Sequence, residues 1–429
     1  MSVKRKCGRL ILTFIIVVFF SLVIAILVVG CNQRNETIPT IDIVLDNYNK
    51  TNIGEFSKGV KYPVDSIIIG DDNYGAVTIE RRGHSTWDLS EKKPFRLKFK
   101  DKVDLFEMGR TRKWALLANS FDDTMIRNYL AGFIGSMLDE NFSFKGEYVW
   151  LKINDEDYGL YYLAKEVTID KSQINIDDFY GVMMEMDNYY CYEETNYYFS
   201  KNDDCFTIKA VVSDDNYEVA AELFMKKYDQ LENAIDKKNF ERIKELIDVE
   251  SFADYFILSE LSNNPDAYCS SWFFYTDGED DKIHVGPIWD YDFAFGNTNW
   301  GYPDGEDELY NPMFGMNRKE AAENATENEL VEKKISLLMF HLMDIEDFKN
   351  NVVDIYRRKI MSKNNLIIEA INKKVDAIRD YVEKDHEIWK KDSFEESVKQ
   401  LKWWVEQRLL YMESTYGNSV LLEEAPREI

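Results

Sequence analysis

Residues 288–297 read IWDYDFAFGN. Asp290 and Asp292 stand two residues apart among Trp289, Tyr291, Phe293 and Phe295. In an extended chain successive side chains alternate faces, so residues i and i+2 point the same way. That spacing predicts two carboxylates aimed at one point. Burying acids among aromatic rings is costly unless something neutralises them. A hard divalent cation does so, and Mg2+ prefers one or two carboxylates together with phosphate oxygens. The string points to a metal–nucleotide site; the alternative is an acidic pair at a strand edge, simply solvated.

The chain on either side of this string changes character along its length. Upstream, short apolar or alternating runs between Gly, Asp and Asn turns predict strands at 67–69, 75–79, 95–99, 148–153, 158–164 and 181–186. A further buried segment is expected at 114–118. A helix capped by Asp122 or Asp123 is predicted from about Thr124 to Leu138. From residue 217 the pattern turns helical, over 217–236, 240–248 and 251–263. A strand pair at 272–275 and 283–285 precedes the opening string, and helix resumes from about 328 to 416. No internal repeat is visible. Strands first and helices later define an α+β chain of two parts, with a natural ligand cleft between them.

The 429 residues carry 45% hydrophobic and 14% aromatic side chains, enough for a substantial core. The net charge of −26 excludes general nucleic-acid binding, which needs cations to neutralise phosphates. The first residues differ sharply. Lys4, Arg5, Lys6 and Arg9 precede an uncharged apolar run over 10–30, long enough to cross a bilayer as a helix. The basic flank predicts a cytoplasmic start and an extracytoplasmic remainder. Val28-Val29-Gly30-Cys31 resembles a bacterial lipoprotein cleavage box, with Cys31 lipidated; an uncleaved anchor is the alternative. Residues 1–31 are read as signal or anchor, and 32–40 as a tether. Cys191, Cys205 and Cys269 have no C-x-x-C spacing and give no zinc signature. A Cys191–Cys205 disulfide and three ordinary thiols are both open.

The chain lacks a P-loop, a G-x-G-x-x-G loop and a G-x-S-x-G elbow. A second acid stands in Ser262-Asn263-Asn264-Pro265-Asp266, where Pro265 halts a helix and leaves Asp266 in a loop. Loop Asp, strand pair and metal Asp follow one another in the order found in protein kinases. A cationic strand face is expected at Arg96 and Lys98, with Phe95, Leu97 and Phe99 on the other face. Its partner is either phosphate or an internal carboxylate. Arg127 is expected to pair locally.

Six strings, in order, resemble the CotH family of spore-coat protein kinases, over about residues 41–300. They are RGHSTWDLSEKKPFRLKF (82–99), KWALLANSFDDTMIRNYLA (113–131), YGLYYLAKEV (158–167), GVMMEMD (181–187), SNNPDAY (262–268) and GPIWDYDFAFGN (286–297). The resemblance implies an atypical two-lobed kinase fold, with a strand-rich lobe over 41–190 and a helix-rich lobe over 191–429. It implies transfer of the ATP γ-phosphoryl group to protein Ser or Thr hydroxyls with Mg2+ or Mn2+. Carried over, Asp266 is the base, Asp290 the principal metal ligand and Asp292 a second ligand or support. Lys98 or Arg96 would contact phosphates, with Arg82 and Lys93 as further candidates. Glu166 and Glu185 would orient a cation or the nucleotide. The chain departs from the family at His84, where Asn is usual, and at Ser270-Ser271, where relatives carry Asn-Asn. Ser271, five residues after Asp266, is a weaker metal ligand than Asn. The alternative function is therefore a nucleotide-binding pseudokinase serving as a cell-surface adhesion or scaffold protein. The expected partners are a Ser/Thr-containing protein and the membrane, not nucleic acid.

Overall fold

The computed structural model describes residues 37–46, 48, 52–139, 142–297, 335–391 and 393–417. The described residues from Pro39 onward belong to one compact unit. The predicted anchor and Cys31 lie outside the described residues, and no helix among those described is long and apolar enough to cross a membrane.

The first sheet has nine strands: β1 (Thr40–Val44), β2 (Lys61–Val64), β3 (Ser66–Ile69), β4 (Asp72–Tyr74), β5 (Val77–Arg81), β6 (Phe95–Asp104), β7 (Arg110–Leu117), β8 (Gly146–Ile153) and β9 (Glu156–Lys165). Their order is β2-β5-β6-β7-β9-β8-β1-β3-β4. All neighbours are antiparallel except β1 and β8. The alternation predicted for β6 is present: Phe95, Leu97 and Phe99 are buried, while Arg96 and Lys98 are half-exposed. The buried row joins Ile79, Trp114, Leu116 and Leu163 in one apolar core. A short helix, α1 (Ser85–Leu89), follows β5, and α2 (Arg127–Leu138) follows β7. Helix α2 begins later than predicted because Asp122 first caps a turn. Its carboxylate accepts from Thr124 N at 3.0 Å and from Arg127 N at 2.8 Å.

The second sheet runs β11-β12-β10-β13-β14, from β10 (Val182–Met186), β11 (Tyr197–Phe199), β12 (Cys205–Val211), β13 (Trp272–Thr276) and β14 (His284–Val285). The 181–186 strand thus pairs with β12 and β13 and takes no part in the first sheet. Strands β11 and β12 escaped the sequence reading. The run Phe206-Thr207-Ile208-Lys209-Ala210 does alternate, but it is short and bounded by acidic turns. Cys191 and Cys205 form a disulfide beside β12, and Cys269 is a buried thiol.

Helices α3 (Tyr217–Asp236), α4 (Phe240–Leu246) and α5 (Val249–Ser262) follow the predicted periodicity. Asp248 caps α5 by accepting from Ser251 N at 2.7 Å. Asn263 ends it in the left-handed conformation, at φ 45°, which Asn tolerates better than most residues. Past the undescribed stretch come α6 (Leu338–Met343), α7 (Glu346–Lys359), α8 (Asn364–Trp389) and α9 (Phe394–Met412). Helices α7 and α9 lie against α5, and α8 lies against β9 and α2. The C-terminal helices therefore grip the first sheet directly. Lys92 Nζ meets Asp385 Oδ1 at 2.6 Å in full burial, and Trp389 Nε1 donates to Tyr158 O at 3.0 Å. Lys391 reaches Asp123 at 2.7 Å.

Candidate active site

Strand pairing gathers the basic residues. Arg96 on β6 lies opposite Glu80 on β5, and Glu166 follows the end of β9. Arg96 Nε contacts Glu166 Oε1 at 2.6 Å, and Arg96 Nη1 lies 3.4 Å from Glu80 Oε2. Arg82, just past β5, lies 3.5 Å from the same Glu166 oxygen. Its guanidinium sits 4.8 Å from the Trp289 ring centroid, a cation–π distance. Burial alone would raise the Glu166 carboxyl; the Arg96 and Arg82 charges overcome that and hold it below its ordinary value. Burial pulls Arg82 down, opposed by the charges of Glu166, Asp290 and Asp292. Arg82 thus joins the basic face of the first sheet to the acidic string.

The aspartates are placed differently from the extended-chain expectation. Asp290 adopts the left-handed conformation at φ 67°, and no strand is present at 288–292. The turn at Asp290 breaks the i, i+2 alternation. Asp290 opens to solvent while Asp292 is buried. Both carboxyls are raised: Asp292 first by its own burial, and Asp290, although its side chain reaches solvent, first by the protein packed around it. The Arg82 charge opposes the rise at Asp290 and Glu185 adds to it. At Asp292 the charges of Asp290, Asp266 and Asp122 push further upward. Negative charge is therefore concentrated here beyond what Arg82 neutralises.

Asp266 is brought to this cluster by the end of α5. Asn264 Oδ1 accepts from Asp266 N at 3.2 Å, and Asn264 Nδ2 lies 3.4 Å from Asp290 O, so one side chain touches both acidic segments. Glu185 on β10 pairs with Lys209 at 2.8 Å and acts on Asp290. Lys209 is the most consequential residue that sequence reading missed. The pairing of β10 with β12 slips between Met183 and Met184, and Lys209 is the unmatched residue. Such a bulge re-aims a side chain, here toward Glu185. Asp187, two residues on, is raised by burial and by Glu185.

Of the other candidates, Lys93 is engaged elsewhere and Lys98 sits beside other lysines. The charges acting on Lys98 are Lys61, Lys113 and Glu80; burial first and the two lysines next depress its pKa. Lys93 Nζ donates to the Trp87 carbonyl. Ser271 holds φ 50° before β13, beside Ser270, whose hydroxyl bonds Asp187. Among the described residues no three His, Cys, Asp or Glu side chains converge as a ready-made metal cage. The donor set still suits Mg2+, which is held by one or two carboxylates and completes its shell with water and phosphate oxygens.

A strand-rich part whose basic face meets acids from a helix-rich part is the two-lobed α+β arrangement of a kinase. The family model described as CotH kinase protein matches residues 79–412, and the chain belongs to this family. That membership supports kinase activity in general, with ATP and a divalent metal. Among solved structures, the chain is similar to the crystal structure of a Helicobacter pylori proinflammatory kinase, CtkA. The identity is 14% and the TM-score 0.33, covering 89% of this chain and 99% of that one. No curated protein matches the chain.

Proposed function

We propose that this protein transfers the γ-phosphoryl group of ATP to Ser or Thr hydroxyls of a protein substrate, using Mg2+ or Mn2+. The observation that carries this reading is that the Asn264 side chain contacts both the Asp266 and the Asp290 segments, with Arg82 over the adjoining Trp289 ring, so that Asp266 and Asp290 both act on Asp292. Phosphoryl transfer chiefly needs positioning and charge neutralisation, which this chain's groups supply. Asp266, on its loop, accepts the proton of the attacking hydroxyl. Asp290, exposed to the cleft, is the principal metal ligand, with Asp292 behind it. Bound Mg2+ would neutralise phosphate charge. Arg82, and Lys209 in preference to Lys98, would contact phosphate oxygens. Glu166 and Glu185 hold those two cations in place.

Ser271 in place of an Asn favours a second reading: a nucleotide-binding pseudokinase acting as a scaffold. Labelled ATP with Mg2+ or Mn2+ and a Ser-rich acceptor separates the two. The kinase reading predicts transfer that Asp266→Asn abolishes. Nucleotide binding without transfer to protein would leave the pseudokinase.

A location outside the cytoplasmic membrane, tethered through residues 1–31 and a lipidated Cys31, belongs to the same proposal. The Cys191–Cys205 disulfide supports it, because such bonds persist in oxidising surroundings.

A further inference from the structure

Left-handed backbone at a non-glycine residue is costly and persists only where the surroundings over-determine it. The acidic loop holds two such residues, Asp290 at φ 67° and Phe295 at φ 54°. What fixes the first is on the facing helix. Asn128, in the first turn of α2 and 3% exposed, accepts from Tyr291 N at 2.9 Å through its Oδ1. That hydrogen bond grips the peptide unit that leaves Asp290.

The Asn128 amide is itself held. Its Nδ2 donates to Asn119 Oδ1 at 3.0 Å, and Asn119 Nδ2 donates to Met125 O at 3.0 Å. These partners fix which way the Asn128 amide faces, leaving its oxygen for the loop. The neighbouring Arg127 grips further along, where its Nε donates to Ala294 O at 2.9 Å. Asp122 orients that guanidinium. Within the loop, Asn297 Nδ2 closes onto Asp292 O at 2.6 Å and onto Phe121 O at 2.9 Å. Helix α2 also comes close where it lacks side chains: a Cβ at Gly135 would lie 3.1 Å from Ile288 Cδ1.

From this geometry we infer that Asn128 is a positioning residue for Asp290, with Arg127 as its neighbour in the same bracket. Asn128, buried behind the loop, sets the direction of the Asp290 carboxylate by fixing the next peptide plane. The inference rests on the reading of Asp290 as a metal ligand. Partners that orient a ligand from behind typically change metal affinity 10- to 100-fold when removed.

The test uses the full chain and Mn2+ as the probe, without nucleotide. Mn2+ binding is followed by electron paramagnetic resonance, and hydrogen exchange of the segment 288–297 by mass spectrometry. Asn128→Ala is compared with Tyr148→Phe. The latter removes a hydroxyl that donates to the same Met125 carbonyl at 2.7 Å without reaching the loop. The inference predicts that Asn128→Ala weakens Mn2+ binding about 10-fold or more and speeds exchange across 288–297. Tyr148→Phe should leave both unchanged. Equal losses in the two variants would reduce the effect to general destabilisation and overturn the inference. So would a folded Asn128→Ala protein that keeps wild-type affinity and exchange. If the wild-type protein binds no Mn2+, the metal reading of Asp290 fails. The positioning claim is then decided by exchange alone: unchanged exchange in Asn128→Ala refutes it.

Discussion

Removing the Asp385 carboxylate is predicted to destabilise the protein in a pH-dependent way. Asp385 is fully buried and accepts from Lys92 Nζ at 2.6 Å and from Leu160 N at 2.8 Å. Lys92 also donates to Leu160 O at 2.6 Å and lies over the Tyr161 ring. The fit is close: a Cβ at Gly159 would collide with Asp385 Oδ1. Asp385→Ala leaves a buried cation without its counter-charge, which costs about 3–5 kcal/mol. Unfolding entropy is about 2 cal/mol/K per residue. Over a unit spanning residues 39–429 that cost lowers Tm by roughly 4–6 °C.

The pH dependence follows from Lys92, which burial pushes down to about 8, against the opposing Asp385 charge. Between pH 8 and the ordinary lysine value of 10.5, the unfolded chain holds a proton that the folded chain has lost. The Lys92 contribution to stability therefore rises with pH across that window. In Asp385→Ala the lysine is depressed further, so the same recovery begins below pH 8. The cost of the substitution should be largest near pH 6.5 and shrink toward pH 9.5, where Lys92 is neutral in both proteins. Urea unfolding followed by tryptophan fluorescence at the two pH values measures this. A cost below about 1 kcal/mol at pH 6.5, or one that grows with pH, would mean that Asp385 does not neutralise a charged Lys92 in the folded chain.

Three further outcomes are expected. Glu232, 2% exposed, is raised to about 7, mainly by burial, against Ser200 and with Asp204 nearby. The folded state then holds a proton that the unfolded chain loses above its ordinary carboxyl value, so stability falls as pH rises from about 4.5 to 7; Glu232→Gln should stabilise by on the order of 2 kcal/mol at pH 8 and flatten that slope in thermal melts. Replacing both Cys191 and Cys205 by Ser should cost about 3 kcal/mol, given their separation of 14 residues, and should speed hydrogen exchange where Tyr190 stacks on His84 and Glu193 pairs with Lys58. Lys209→Met should weaken ATP binding by calorimetry about 10-fold, whereas Lys98→Met should change it little; the reverse ranking would return the phosphate contact to β6.

Much of this was legible in the chain because the patterns are local. The alternation in Phe95–Phe99, the periodicity of 217–236 and the Pro265 stop each report on their own neighbourhood. Two kinds of feature were not legible. One is conformational: the left-handed turn at Asp290 depends on Asn128, 162 positions upstream of it, and nothing in IWDYDFAFGN encodes that contact. The other is the choice among similar cations. Arg96, Lys98, Lys93 and Lys92 share one stretch, yet pairing across the fold sends Arg96 to Glu166, Lys93 to a backbone carbonyl and Lys92 to Asp385. Lys209 turns toward Glu185 through a bulge, which an alternation pattern conceals.

The proposed function has ATP held and used between Arg82 and the acidic loop. A structure of the protein with a non-hydrolysable ATP analogue and Mn2+ tests it most directly. The triphosphate is expected beside Arg82 and Lys209, the ion on Asp290, and Asp266 facing the terminal phosphate. A nucleotide bound away from Arg82 and Asp290, or an ion that leaves Asp290 untouched, would contradict it.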